Sequence, residues 1–393
     1  MRSLRRTLLV RRRLRKFWNN LVYKILSSVL EYYCMEEEMP RLRIGGLEVE
    51  SCIVQGGMGV GVSKAGLASA VANNGGVGNI ATVGLGLLDE LSGDYAEINA
   101  WALRGEIRKA RGKTNGVIGV NIMHALSDYD SLVRASVDED VDLIISGAGI
   151  PRDLPKYLGG KDIKLVPIVS SLKYTKLITK AWEKLEHPPD AIVVEGPLAG
   201  GHLGFKYEDL RDGTAESLED ITRQVVEFTD GLKYDVPVIA AGGIYTGADI
   251  YEALGWGAKG VQMGTRFVTT DECDASKEFK DEYLRANKED IVLIESPVGL
   301  PGRAINNAFL RSIRDGGVDD FRCEYKCLKT CVPDKSPYCI ANALVEANRG
   351  DFTRGFAFAG ANAYRCDKIV PVKELMDTLR EEYSVAAVAD RKK

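Results

Sequence analysis

One pattern constrains this chain more than any other: a short apolar run, a glycine-bearing turn and a longer helical stretch, repeated over about 220 residues. It begins at Cys52-Ile53-Val54, followed by a helical pattern over Lys64–Asn73, and recurs at Gly76–Ile80 and Glu97–Arg111. Further runs fall at Val117–Ile122, Val141–Ile145, Leu165–Val169, Ala191–Glu195, Val236–Ala240 and Gly260–Met263. They are apolar on both faces rather than alternating, as strands buried on both sides are. Helical stretches over Tyr174–Leu185, Leu218–Leu232 and Ala248–Leu254 lie between them. Repeated βα units imply a parallel sheet with right-handed crossovers, and eight such units close into a (β/α)8 TIM barrel.

The competing architecture is an open doubly wound sheet, and the position of the glycines decides between them. Ligand-type turns follow strand after strand: Gln55-Gly56-Gly57-Met58, Asn121, Ser146-Gly147-Ala148-Gly149, Glu195-Gly196, Gly242-Gly243-Ile244 and Gly264-Thr265. An open sheet needs one such turn for a phosphate, whereas a barrel delivers every strand end to the same mouth. No GxGxxG opens a helix in a βαβ unit and no Gly-Lys-Ser/Thr run is present, which disfavours a dinucleotide fold and a P-loop. The 41 glycines among 393 residues therefore read as backbone held close to a ligand rather than as linker.

The formal charge of −4 averages two unlike pieces. Residues 1–34 hold nine Lys or Arg against the single acid Glu31, a net of +8, and the remaining 43 bases face 55 acids, a net of −12. An acidic body excludes a general nucleic-acid binder, which needs a basic face. In the head, Leu14, Phe17, Trp18, Leu21, Val22, Ile25, Leu26, Val29 and Leu30 draw an apolar stripe interrupted by Arg and Lys. That is an amphipathic surface helix, able to touch a membrane but not to span it. The other reading is that translation starts at Met35 or Met39 and that 1–38 is an extension outside the working protein. Eight cysteines are too few for a disulfide scaffold, and no small-residue cleavage site follows the basic start, so a cytoplasmic protein with reduced thiols is expected.

Two segments carry chemistry. Val193-Val194-Glu195-Gly196-Pro197-Leu198-Ala199-Gly200-Gly201-His202-Leu203-Gly204 leaves a buried strand, turns on glycines and presents one of only three histidines. The small neighbours of His202 are what a planar ligand packed nearby requires, which points to a functional imidazole. Of the others, His187 precedes Pro188-Pro189 in a surface loop, and His124 follows a strand and could face the mouth. The turns at Gly242-Gly243 and Gly264-Thr265 end the strands counted seventh and eighth, where barrels commonly bind phosphate.

Taken as a set, Gln55-Gly56-Gly57-Met58, Asn121, Ala199-Gly200-Gly201-His202-Leu203-Gly204, Ala241-Gly242-Gly243-Ile244 and Met263-Gly264-Thr265 resemble the nitronate monooxygenase family, formerly 2-nitropropane dioxygenases. The similarity runs from about Arg41 to about Leu310 and implies an FMN-dependent TIM-barrel oxidoreductase. It implies that Gln55, Gly57, Met58 and Asn121 lie along the flavin, that Gly200 and Gly201 sit beside its ring, and that Gly242, Gly243, Gly264 and Thr265 hold its phosphate. His202 matches the family's active-site histidine. The implied reaction takes an alkyl nitronate and O₂ to a carbonyl compound and nitrite. The related alternative is an NAD(P)H-dependent FMN reductase of enoyl thioesters (enoyl-ACP reductase type) or quinones. That branch is expected to carry an acid just before Gly-Gly-His, where this chain has Pro197-Leu198-Ala199.

Beyond residue 310 the rhythm stops. Cys323, Cys327, Cys331 and Cys339 are spaced C-x₃-C-x₃-C-x₇-C, and steps of four would align the first three along one helix face. Four thiolates could hold an iron–sulfur cluster or Zn²⁺, although the spacing matches neither ferredoxins nor common zinc fingers; buried, reduced thiols are the other reading. A last amphipathic helix is expected around Val372–Tyr383. The organisation expected is thus an extension over 1–38, an FMN-binding TIM barrel over 39–310, and a mainly helical, cysteine-containing cap over 311–393. The expected partners are a small-molecule substrate and O₂, with NAD(P)H in the reductase alternative. Nucleic acid is not expected, a membrane enters only through the 1–34 helix, and a homodimer stays open.

Overall fold

The computed structural model describes residues 37–89, 93–318 and 321–391. The amphipathic stretch at 14–30 and the start at Met35 lie outside them. Eight strands, β1 (Ile53–Gln55), β2 (Gly78–Ala81), β3 (Ile118–Met123), β4 (Leu143–Gly147), β5 (Lys164–Val169), β6 (Ile192–Glu195), β7 (Val238–Ala241) and β8 (Gly260–Met263), form one parallel sheet. Their order is β1-β8-β7-β6-β5-β4-β3-β2. The sheet closes on itself where Gln55 N–H donates to Val77 O at 2.9 Å and Val77 N–H donates to Ile53 O at 3.0 Å. This is the TIM barrel that the strand rhythm implies, and its strands are almost wholly buried.

Helices α1 (Ala65–Asn73), α2 (Tyr95–Arg111), α3 (Tyr129–Asp138), α4 (Leu172–Glu183), α5 (Leu218–Asp230) and α6 (Gly247–Gly255) surround the sheet, with only a 3₁₀ turn, Leu154–Tyr157, between β4 and β5. Their starts are set by side chains that take up orphan backbone N–H groups. Asp94 caps α2 from Ala96 and Glu97, and Thr246 with Asp249 forms a capping box on α6. Helix α1 has no cap of its own, so the carboxylate of distant Asp274 accepts from Lys64, Gly66 and Leu67 at 2.7, 3.0 and 3.0 Å.

Beyond the eight strands come α7 (Lys277–Arg285), α8 (Ala308–Arg314), α9 (Ile340–Arg349) and α10 (Val372–Arg391). Helix α10 lies on the barrel between α6 and α1, in the outer-layer position that β8's own four-residue helix is too short to fill. It buries Val372, Leu375, Met376, Leu379 and Tyr383 there, each apolar side chain contributing about 1.5–3 kcal/mol. The contact is close because Gly247 carries no side chain, and Glu382 of α10 accepts the Gly247 N–H at 2.7 Å.

Two features beyond the eight strands differ from the sequence expectation. Within 39–310, the stretch expected to be barrel alone, the strands β9 (Ile291–Glu295) and β10 (Pro301–Ile305) pair antiparallel, and Gly201–His202 adds to β10, so a three-stranded sheet stands beside the barrel. Residues 321–332 are not helical either. The chain runs irregularly there, with Lys326 at φ +46°, and bonds to the loop after β3. Ser127 N–H donates to Cys327 O at 3.0 Å, and Lys329 N–H donates to Ala125 O at 2.9 Å. These tertiary bonds satisfy backbone groups that an isolated helix would have satisfied internally.

Candidate active site

The C-terminal ends of the strands open on one cavity walled mostly by glycine and apolar side chains. Gly57, Met58, Asn121, Gly200, Gly201, His202, Gly242, Gly243, Gly264 and Thr265 all line it, so ten of the eleven residues expected at the flavin and the active site converge on one space. The eleventh, Gln55, does not. Its fully buried side chain points behind the first turn, donating to Gly56 O and accepting the Asn79 N–H at 2.8 Å, and thereby braces that turn. His124 is not in the wall; its ring packs edge-on to Tyr129, and His187 lies outside with Nδ1 3.2 Å from Pro188 O.

The glycines are there for two distinct reasons. A Cβ on Gly57 would fall 2.2 Å from Asn121 Cβ, so Gly57 lets the loop after β1 pack against strand β3. A Cβ on Gly201 would meet nothing within 4 Å, yet its φ is +79°. The chain thus keeps a bare, left-handed backbone facing open cavity, which suits a flat ligand lying against it. Gly242 and Gly243, at φ +95° and +91°, turn the backbone sharply at the end of β7.

The segment after α9 closes this end of the cavity. Gly360 N–H donates to Thr265 Oγ1 at 3.1 Å, Ala361 N–H to Leu198 O at 3.0 Å, and Asn362 Nδ2 to Gly243 O at 2.6 Å. Arg303 of β10 is buried and spends Nη1 on Pro197 O and Ala199 O at 2.7 and 2.6 Å, fixing the loop that leads to His202.

His202 itself is held on both sides. Its Nε2 lies 2.8 Å from Ser296 Oγ, and Phe358 packs edge-on against the ring at 4.9 Å between centroids. Burial lowers its pKa to about 4, so the ring is neutral at physiological pH and offers one donor and one acceptor. Glu195, at the end of β6, also lines the cavity, and burial raises its carboxyl to about 7. Glu195, Gln262, Ser296, Phe358 and Gly360 were not singled out as site residues from the sequence. Glu195 and Gln262 were within its reach, since both stand at barrel-strand ends.

The four cap cysteines do not make a ligand set. Cys323, Cys327, Cys331 and Cys339 are all free thiols, and among the described residues no three His, Cys, Asp or Glu side chains converge on a metal position. The spacing of four aligns thiols only on a helix, and the chain is not helical there; Cys339 is the residue before α9. Cys327 is buried beside the cavity, where loss of solvation raises its thiol to about 12 and keeps it protonated.

The residues present fit a flavin. Open backbone at Gly201 matches a planar ring, the paired turns at Gly242-Gly243 and Gly264-Thr265 match a phosphate, and Gln262 keeps a buried Oε1 in the wall with no partner among the described residues. Fold and site together define a TIM barrel whose strand ends open on a cavity that a flavin fits. The sequence profile of the nitronate monooxygenase family matches residues 42–382, and the chain belongs to that family.

Among its relatives are octahydroindene-carboxyl-CoA dehydrogenases of Mycobacterium tuberculosis, 30% identical over 268 residues, and Rhodococcus jostii, 29% identical over 269. Each alignment covers 68% of this chain and 66% of the relative, just short of two thirds of its length. A probable nitronate monooxygenase of Staphylococcus aureus is 28% identical over 313 residues, covering 70% of this chain and 81% of the relative. Of solved structures, FabK from Thermotoga maritima superposes with a TM-score of 0.70 at 28% identity, covering 88% of this chain and 96% of that one. The nitroalkane oxidase of Streptomyces ansochromogenes, at 24% identity and a TM-score of 0.68 over 87% and 98% of the two chains, shares the fold. Among the described residues no helix is long and apolar enough to cross a membrane.

Proposed function

We propose that this enzyme oxidises alkyl nitronates with O₂ to carbonyl compounds and nitrite, with FMN as its cofactor and His202 as the residue that meets the substrate. The observation that carries this reading is a neutral histidine, fixed by Ser296, at the edge of a glycine-lined cavity. When bound, FMN supplies two-electron redox chemistry between substrate and O₂. The turns at Gly242-Gly243 and Gly264-Thr265 would hold its phosphate, Gly200 and Gly201 would lie beside its ring, and Gly57, Met58 and Asn121 would lie along it. Gln55 supports the first turn from behind rather than touching the ligand.

Neutral His202 can donate a hydrogen bond to the anionic nitronate and orient it, or accept the α-proton of the parent nitroalkane as a general base. The apolar wall, with Met123, Leu126, Ile168 and Leu328, keeps water away from the reacting carbon. The second reading, an NAD(P)H-dependent FMN reductase of enoyl thioesters or quinones, is supported by the CoA-thioester names of two relatives and by the likeness to FabK.

Anaerobic mixing of the yellow protein with propyl-1-nitronate and, separately, with NADPH separates the two. The first reading expects bleaching by the nitronate; fast bleaching by NADPH alone would overturn it. His202→Asn is expected to lower turnover at least tenfold while FMN stays bound, and loss of the flavin would mean that His202 has a structural role instead.

A further inference from the structure

Resting on the reading of this cavity as the flavin and substrate site, we propose that Glu195 couples the binding of a small anion to the uptake of one proton from solvent. The cavity admits the anion when the carboxylate becomes a carboxylic acid, so that −COO⁻, H⁺ and the anion come together and no second negative charge is buried.

The wall's composition carries this. Among the described residues that line the cavity there is no Lys, no Arg and no Asp, and Glu195 is the only carboxylate. Other titratable members are His202, Tyr95, Tyr283 and Cys327, all neutral near pH 7, with burial favouring the uncharged form of each. The Glu195 carboxyl makes no hydrogen bond or ion pair with any described residue, although its backbone pairs with Ala241, protein surrounds it and part of its side chain faces the cavity.

The elements packed around it offer no counter-charge. Strand β7 puts Ala241 beside Glu195 and carries no ionisable group, and β5 has only Lys164, at its opposite end. On α5, Glu219 and Arg223 pair with each other at the surface, Asp220 accepts from Ser217 Oγ, and Glu227 and Asp230 are exposed. Arg303 is committed to the carbonyls of Pro197 and Ala199. Burial is accordingly the one cause that raises the carboxyl to about 7, and the phosphate of bound FMN would push it in the same direction. A nitronate, or the nitrite that leaves, is an anion that must enter this uncompensated space; protonating Glu195 removes the like charge and gives the cavity a donor.

The test is nitrite binding to the FMN-loaded enzyme, followed by flavin absorbance from about pH 5.5 to about 9, where nitrite stays ionised. The wild-type dissociation constant should be flat at the acid end and rise about tenfold per unit above about pH 7.5. Glu195→Gln should flatten the profile, and Glu195→Asp should retain it. Should the Gln variant fail to fold or to hold FMN, calorimetry on the wild type at about pH 8 in buffers of different ionisation enthalpy should still register close to one proton taken up per nitrite bound.

A flat wild-type profile, an unchanged profile in the Gln variant, no proton uptake, or no nitrite binding at any pH would overturn the proposal. Linked uptake without turnover of propyl-1-nitronate would instead retire the substrate reading and leave the coupling standing.

Discussion

Ser296 and Gly201 act on the site in opposite ways, one by a polar atom it supplies and the other by atoms it lacks. The Ser296 hydroxyl is buried and is the hydrogen-bond partner of His202 Nε2. Ser296→Ala removes that partner without touching the cavity wall, so FMN content and absorbance should match wild type while kcat falls 10- to 100-fold, about 1–3 kcal/mol for a half-broken buried pair. An unchanged kcat would show that the hydroxyl does not orient the ring. Gly201→Ala adds one methyl where φ is +79° and no protein atom lies within 4 Å. The left-handed backbone costs about 1–2 kcal/mol, too little to unfold the barrel, but the methyl stands where the flavin ring is proposed to lie. The flavin-to-protein ratio should drop several-fold with Tm lowered by only a few degrees; full flavin occupancy would move the ring elsewhere in the cavity. Gly201 was legible because its glycine stands next to His202 in one motif, whereas Ser296 is 94 residues from His202 and is marked by no local pattern.

At the scale of elements, the strands and barrel helices were readable because their signal is local: apolar on both faces for a strand between two layers, every third or fourth residue for a helix with one wet face. The three-stranded sheet was not, since β10 pairs with Gly201–His202 across about a hundred residues and no periodicity records such a meeting. The cysteine segment failed for a related reason. Its spacing has the period of a helix, but bonds to the loop after β3 fix it in another shape. Helix α10 was legible as a helix, while its seat depends on one residue of another element. A Cβ at Gly247 would lie 2.2 Å from Leu379 O and 2.3 Å from Tyr383 N, backbone atoms that cannot swing aside. Gly247→Ala should therefore lift α10 from α6 and destabilise the protein by about 1–3 kcal/mol, read as a lower urea midpoint and faster amide exchange confined to α10. Exchange rising evenly over the molecule would instead mean that α10 and the barrel unfold as a unit.

On the scale of the whole molecule, one uncompensated cavity tilts global stability in two opposing directions. Glu195 titrates near 7 in the fold against an ordinary 4.5, so between these values the folded chain holds a proton that the unfolded chain releases, and stability falls as pH rises. His202 titrates near 4 against an ordinary 6.5, so the folded chain lacks a proton that the unfolded chain takes up, and stability falls as pH drops. Over the shared window, about 4.5 to 6.5, the two slopes cancel and neither group is visible in the wild-type profile. Each single variant exposes the other group. Relative to wild type, Glu195→Gln should gain stability as pH rises through the window and on to 7, and His202→Asn should gain as pH falls through it. Each gain should reach about 2–3 kcal/mol, after a discount for the part of each side chain that faces the cavity. Taking differences from wild type by urea denaturation at each pH removes other titrating groups, among them Asp128, which burial raises to about 6. Differences that stay constant with pH in both variants would mean that water or ligand already solvates the cavity, and that neither group is held in its neutral form by the protein.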